Sequence, residues 1–201
     1  MDEPELEKVA RSLRSATPIP SPVIQVVRQS KNRVNEMSWF SSLFGSKSQL
    51  KTQVSTAFTL RRGKSVPVDD AFRAWTSGDL AQMLKAVSTK TNPIDRHFLL
   101  QSIVDATYKL RKEEKYRKLC IEYAEKHLKE FPNIAPVLKE DMDGMLPRIT
   151  TFQHYSTVLT EDREYDKAIS ICEKAIEYGL HDNTKSGFEG RIARIRKKAE
   201  K

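Results

Sequence analysis

The chain is short of glycine, cysteine and long apolar runs, and each shortage excludes a class of protein. Seven glycines in 201 residues are too few for a turn-rich β architecture, and 31% charged residues favour helices. Two cysteines, Cys120 and Cys172, cannot build a disulfide framework or a metal cage. Each falls on an apolar helical face and reads as a reduced core thiol of a cytosolic protein. No apolar stretch reaches membrane-spanning length, so no segment is expected to cross a bilayer. The opening MDEPELEKV has neither the basic start nor the apolar block of a secretion signal, which points to a soluble cytoplasmic chain. With 38% hydrophobic residues, the chain fills one moderate core and carries a loosely packed appendage.

What is plentiful is positive charge, a net +8, and its location decides its meaning. Residues 1–66 contribute +6, residues 191–201 contribute +5, and the span between them carries −3. The basic ends flank a slightly acidic middle. Arg194, Arg196, Lys197 and Lys198 crowd the last turns of a helix, where the macrodipole favours cations. They also raise nucleic acid as an alternative partner, although the interleaved aromatics of a single-strand binder are missing.

Organisation along the chain divides at residue 66. Pro4–Ala16 reads as a short amphipathic helix broken by TPIPSP, and Ser21-Pro22 can cap a second one. Trp39, Phe40, Leu43 and Phe44 are the anchors of a Ser-rich stretch. Met37 followed by Ser-Trp-Phe reads like the natural start of many bacterial proteins, so residues 1–36 can be an upstream extension. Val54, Thr56, Phe58 and Leu60 alternate as a strand does, so the arm holds one or two short strands or is extended. From Pro67 the periodicity turns helical. Expected helices cover Val68–Ser77, Leu80–Val87, a long element capped by Asn92-Pro93, and Tyr116–Phe131, ended by Pro132. A short linking helix from Pro136 to Gly144 follows, then a helix pair over Phe152–Tyr178 stopped by Gly179. A last helix spans roughly residues 188–200, with Phe188, Ile192, Ile195 and Ala199 on its inner side.

The pair over Phe152–Tyr178 is the most patterned part. Tyr165, Ala168, Ile169, Cys172, Ala175 and Ile176 recur at steps of three and four, as do Phe152, Tyr155, Ser156 and Leu159. With its Tyr-Asp-Lys-Ala-Ile entry, this pair resembles one tetratricopeptide repeat, a unit of about 34 residues that stacks to make a binding surface. Within the chain, Tyr116 and Leu119 match Tyr165 and Ala168 at an offset of 49 residues, and Thr107 and Leu110 match Ser156 and Leu159. The resemblance implies a mostly all-α fold. Antiparallel helix pairs stack as a short tetratricopeptide-like solenoid over residues 67–201, closed by a C-terminal capping helix, with residues 1–66 as an irregular arm. An irregular helical bundle is the competing architecture. The segment from Leu146 to Ile195, with its Gly187-Phe188-Glu189-Gly190-Arg191 element, also resembles the tail of a group of uncharacterised bacterial and phage-associated helical proteins.

Tests for chemistry return little. RRGKS ends like a phosphate-cradling loop, but Phe58 stands where that loop requires glycine. His97, His127, His154 and His181 have no paired zinc spacing, and three of them are expected to cap or line helix packing. No Ser, Cys or Lys sits in a nucleophile motif. The expectation is a non-enzymatic protein-interaction module with no cofactor or metal, binding a peptide or partner protein in a helical groove. The faces opposite the core stripes nominate Gln101, Tyr108, Arg111 and Lys112 on one unit, and Thr150, Gln153, Thr157 and Glu161 on the next. Arg111 and Lys112 could clamp a carboxylate, with Tyr108 as an amphipathic contact. The alternative is a nucleic-acid accessory protein using its basic ends.

Overall fold

The structure is a computed structural model that describes residues 57–61 and 63–201. The helices expected over Pro4–Ala16 and from Ser21, and the anchors Trp39–Phe44, lie outside the described residues. The described chain is mostly helical, with one small hairpin ahead of the helices.

Strands β1 (Phe58–Arg61) and β2 (Lys64–Pro67) are antiparallel, with Phe58 opposite Pro67 and Arg61 opposite Lys64. Their inward set is polar: Thr59 and Arg61 are buried while Leu60 is exposed. The reason is one carboxylate. Asp95 accepts from Arg61 Nη2 at 2.5 Å and from Trp75 Nε1 at 3.2 Å, so the hairpin is ionically tied to the helices. The packed body therefore reaches back to residue 57, into the stretch read from sequence as an arm.

The helices are α1 (Asp70–Ser77), α2 (Leu80–Ala86), α3 (Pro93–Lys109), α4 (Glu114–Asp141), α5 (Thr150–Glu161), α6 (Tyr165–Glu177) and α7 (Gly187–Ala199). The first three start at residues whose side chains replace missing backbone partners. Asp69 accepts from the Phe72 amide, Asp79 from Ala81 and Gln82, and Asn92 from Ile94 and Asp95. Each such cap stabilises its helix by about 1 kcal/mol. Gly78 and Gly179, both at φ 71°, end α1 and α6 in the left-handed conformation that side chains resist.

One expectation is corrected. The element starting near Tyr116 does not stop at Pro132, and no separate linking helix begins at Pro136. Helix α4 runs through both prolines to Asp141. Pro132 and Pro136 lie on its exposed side, where they leave the Leu128 and Pro132 carbonyls without an amide partner one turn on. On the other side Phe131, Ile134, Ala135 and Leu138 are buried, and their packing outweighs the two lost hydrogen bonds. Ala199 also departs from its expected inner side and is exposed.

Helix α3 packs along α4, and α5 along α6. In addition α3 touches α5, α4 touches α5, and α6 carries α7, while α1 and α2 pack on each other and on α3. Two apolar clusters result. One, around Phe72, Trp75, Met83 and Leu99, joins α1 and α2 to α3. The larger, around Phe131, Phe152, Tyr155 and Phe188, joins α4 to α7. From Leu99 onward the buried positions of α3 (residues 99, 100, 103, 104, 106 and 107) recur on α5 at 151, 152, 155, 156, 158 and 159, a displacement of 52. Tyr116 and Cys120 on α4 likewise fall against Ala168 and Cys172 on α6. Burial on these stretches thus recurs at 52, three residues beyond the 49 of the sequence matches, and sets a large Tyr against a small Ala.

Candidate partner-binding face

Gln101, Tyr108, Thr150, Gln153 and Thr157 are half-buried on the adjoining sides of α3 and α5, Arg111 is half-buried, and Lys112 and Glu161 are exposed. The structure brings most of them together and ties them to one another. The Gln101 carboxamide oxygen accepts from the Thr150 amide at 3.1 Å, and Thr150 Oγ1 donates to Asp105 at 2.6 Å. Tyr108 stacks on His154 with ring centroids 3.8 Å apart, and His154 Nε2 lies 3.1 Å from Asp105. The Arg111 guanidinium covers the opposite face of that region, 4.0 Å from the Tyr108 ring centre, and grips Glu161 at 2.9 Å. Arg117 extends the lock, reaching Glu161 at 3.1 Å and Asp162 at 2.6 Å. Gln153 accepts from Arg148 at 2.9 Å, and Thr157 donates to the Gln153 carbonyl at 2.8 Å.

Charge is balanced inside this lock. Burial alone would raise the Glu161 carboxyl, but hydrogen bonds from Arg111 and Arg117 more than offset it and hold the group below the usual carboxylate range. The bond to Glu161 raises Arg111 further above its ordinary value. Arg111, nominated as a carboxylate clamp, thus already holds a carboxylate of its own chain. Lys112 is exposed in the turn between α3 and α4.

Where α5 meets α7, a cleft of about 160 Å³ opens, lined by Thr157, Thr160, Glu161, Arg191, Arg194 and Lys198 among others. The sequence nominates Thr157 and Glu161 at this face and gives the basic α7 residues as helix-end charge or, in the alternative, a nucleic-acid contact, not as neighbours of the groove. Their i, i+3, i+7 spacing was the available signal. Arg191 also anchors the α6–α7 loop: its Nη2 lies 3.0 Å from Asp182, whose side chain is fully buried. Burial would raise the Asp182 carboxyl, yet Thr184 and Arg191 bond it strongly enough to lower it.

Behind this face the titratable core groups are inert. His97 Nδ1 and His127 Nε2 lie 2.9 Å apart, and His127 Nδ1 pairs with Thr151 Oγ1 at 2.8 Å. Burial lowers His127 to about 4 and His97 well below its ordinary value, so both stay neutral near pH 7. Burial pushes the Cys120 thiol up to about 11, partly offset by its hydrogen bond with Thr107, and Cys172 is likewise raised. Burial therefore keeps both as thiols at neutral pH. Among the described residues no group of three or more His, Cys, Asp or Glu is placed to hold a metal. No helix among them is long and apolar enough to cross a membrane. Set against protein-family models, curated proteins and solved structures, the chain matches none of them.

Proposed function

We propose that the helical body is a protein-interaction module that receives a peptide or partner protein across α3, α5 and α7. The observation that carries this reading is the order of helix neighbours. Helix α3 touches α5 while α4 touches α5 from behind, and α6 passes to α7. That is the neighbour order of stacked antiparallel pairs, in which the first helices of successive pairs share one side. The α1–α2 pair against α3 supplies a third unit, the minimum for a stable stack. Such a stack, closed by α7, supports the tetratricopeptide-like solenoid over an irregular bundle.

The lock between α3 and α5 gives that side a function of its own. A face built from mutually bonded side chains loses little conformational entropy when a partner arrives, which favours recognition by a preorganised surface. The test is site-specific photo-crosslinking from Lys112 on this side and from Lys174 on the exposed side of α6, in the native host. Adducts from Lys112 and none from Lys174 are expected. Adducts from Lys174 alone would reject the reading. The alternative partner, nucleic acid held by the basic ends, predicts a steep fall of affinity with salt and its loss on removal of residues 191–201.

A further inference from the structure

The positive charge of α7 is compensated at one position and left open at two others. Arg191 is matched by buried Asp182 and donates from Nη1 to Thr157 Oγ1 at 3.0 Å. The one carboxylate lining the cleft, Glu161, is held by Arg111 and Arg117. Arg194 is exposed and donates only to the neutral Ser186 hydroxyl, at 3.1 Å. Lys198, one turn further along the same side, is exposed at the same cleft. Among the described residues, neither Arg194 nor Lys198 has a carboxylate partner. The macrodipole explains why cations collect near this helix end, but not why two of them border one cleft.

Resting on the recognition reading above, we propose that this cleft binds a short acidic segment of a partner protein, with adjacent carboxylates paired to Arg194 and Lys198. Three observations select this ligand. The cleft holds about 160 Å³, well below the several hundred Å³ of a pocket for a nucleoside-sized ligand, yet roomy enough for carboxylate side chains. Residues at i and i+4 of a helix stand about 6 Å apart, a spacing that two neighbouring acidic side chains of an extended peptide can reach. Single-stranded nucleic acid fits poorly, because no aromatic side chain lines the cleft to stack a base.

The experiment is fluorescence anisotropy of the full chain with labelled hexaglutamate, and with labelled hexathymidylate as the competing probe, at physiological ionic strength. The double variant Arg194→Glu with Lys198→Glu is expected to weaken hexaglutamate binding by at least about tenfold. The variant Arg196→Glu with Lys197→Glu changes net charge equally on the same helix outside the cleft, and is expected to stay within about twofold of the parent. Equal losses from the two variants, tighter binding of hexathymidylate, or no binding of hexaglutamate would each overturn the proposal. All four positions are exposed, and helix content by circular dichroism confirms that each variant folds. Photo-crosslinking from Lys112 on the same proteins separates the two ideas. If adducts persist while hexaglutamate fails, only the acidic ligand is wrong; if adducts also vanish from the parent chain, the recognition reading falls with it.

Discussion

The two principal helix pairs solve the same packing problem with opposite chemistry. Between α3 and α4 the seam holds two fully buried imidazoles, His97 and His127, in line with Thr151 of α5. Between α5 and α6 it holds Ala168, Cys172, Ala175 and Ser156, all fully buried. The first seam is polar and takes up protons only in acid. The second is lined by small side chains, and its thiol is raised away from neutral pH. The difference shows that burial recurring at a displacement of 52 residues does not require recurring chemistry.

Acid should separate the seams most sharply. An unfolded imidazole takes up its proton near 6.5, whereas folded His127 does so only at about 4, and burial likewise holds folded His97 well below its ordinary value. Between those limits the unfolded state binds more protons, so stability falls as pH falls, by about 1.4 kcal/mol per pH unit for each group. Denaturant titrations at pH 7 and pH 5 should therefore differ by about 3–4 kcal/mol. In a His97→Leu, His127→Leu double variant most of that difference should disappear. A double variant with the parent's slope would show that other groups carry the acid response.

The seam of small side chains is sensitive to volume instead. Ala175→Leu adds methylenes at a position with no exposure, on the helix side that Cys172 presents to Ser156. The expected loss is about 1–3 kcal/mol, equal at pH 7 and pH 5. A pH-dependent loss would mean the seams are not independent.

The smallest effect belongs to the front lock. Arg111 and Glu161 are 25% and 37% exposed, so their ion pair is largely screened by solvent. Arg111→Ala should cost about 1 kcal/mol or less in thermal or chemical unfolding. Its consequence for partner binding should be larger than for stability, because it uncovers the Tyr108 ring and leaves Glu161 held by Arg117 alone. Parallel losses of the two would demote the lock to ordinary surface packing.

Much of this architecture was legible in the sequence, for local reasons. Asp69, Asp79 and Asn92 announce helix starts, and Gly78 and Gly179 announce stops, because each acts on backbone within four residues. The extent of α4 was hidden because the outcome at Pro132 depends on what Phe131 and Leu138 meet across the fold. The nominated face was readable as positions at helical spacing on α3 and α5. Its pairings were not. Arg111 finds Glu161 fifty residues away, and His97 finds His127 thirty away, through contacts that only the assembled helices create. The free cations of α7 were visible as charge, but their convergence on a cleft required α5 to be set beside them.

Lysine acylation rates, measured on the full chain alone and with its crosslinked partner identified and bound, test the account most directly. Lys112 and Lys198 should react more slowly in the complex, while Lys174 on α6 reacts at its free rate. Protection of Lys174 with Lys112 and Lys198 unchanged would place the partner on the other side and contradict the account.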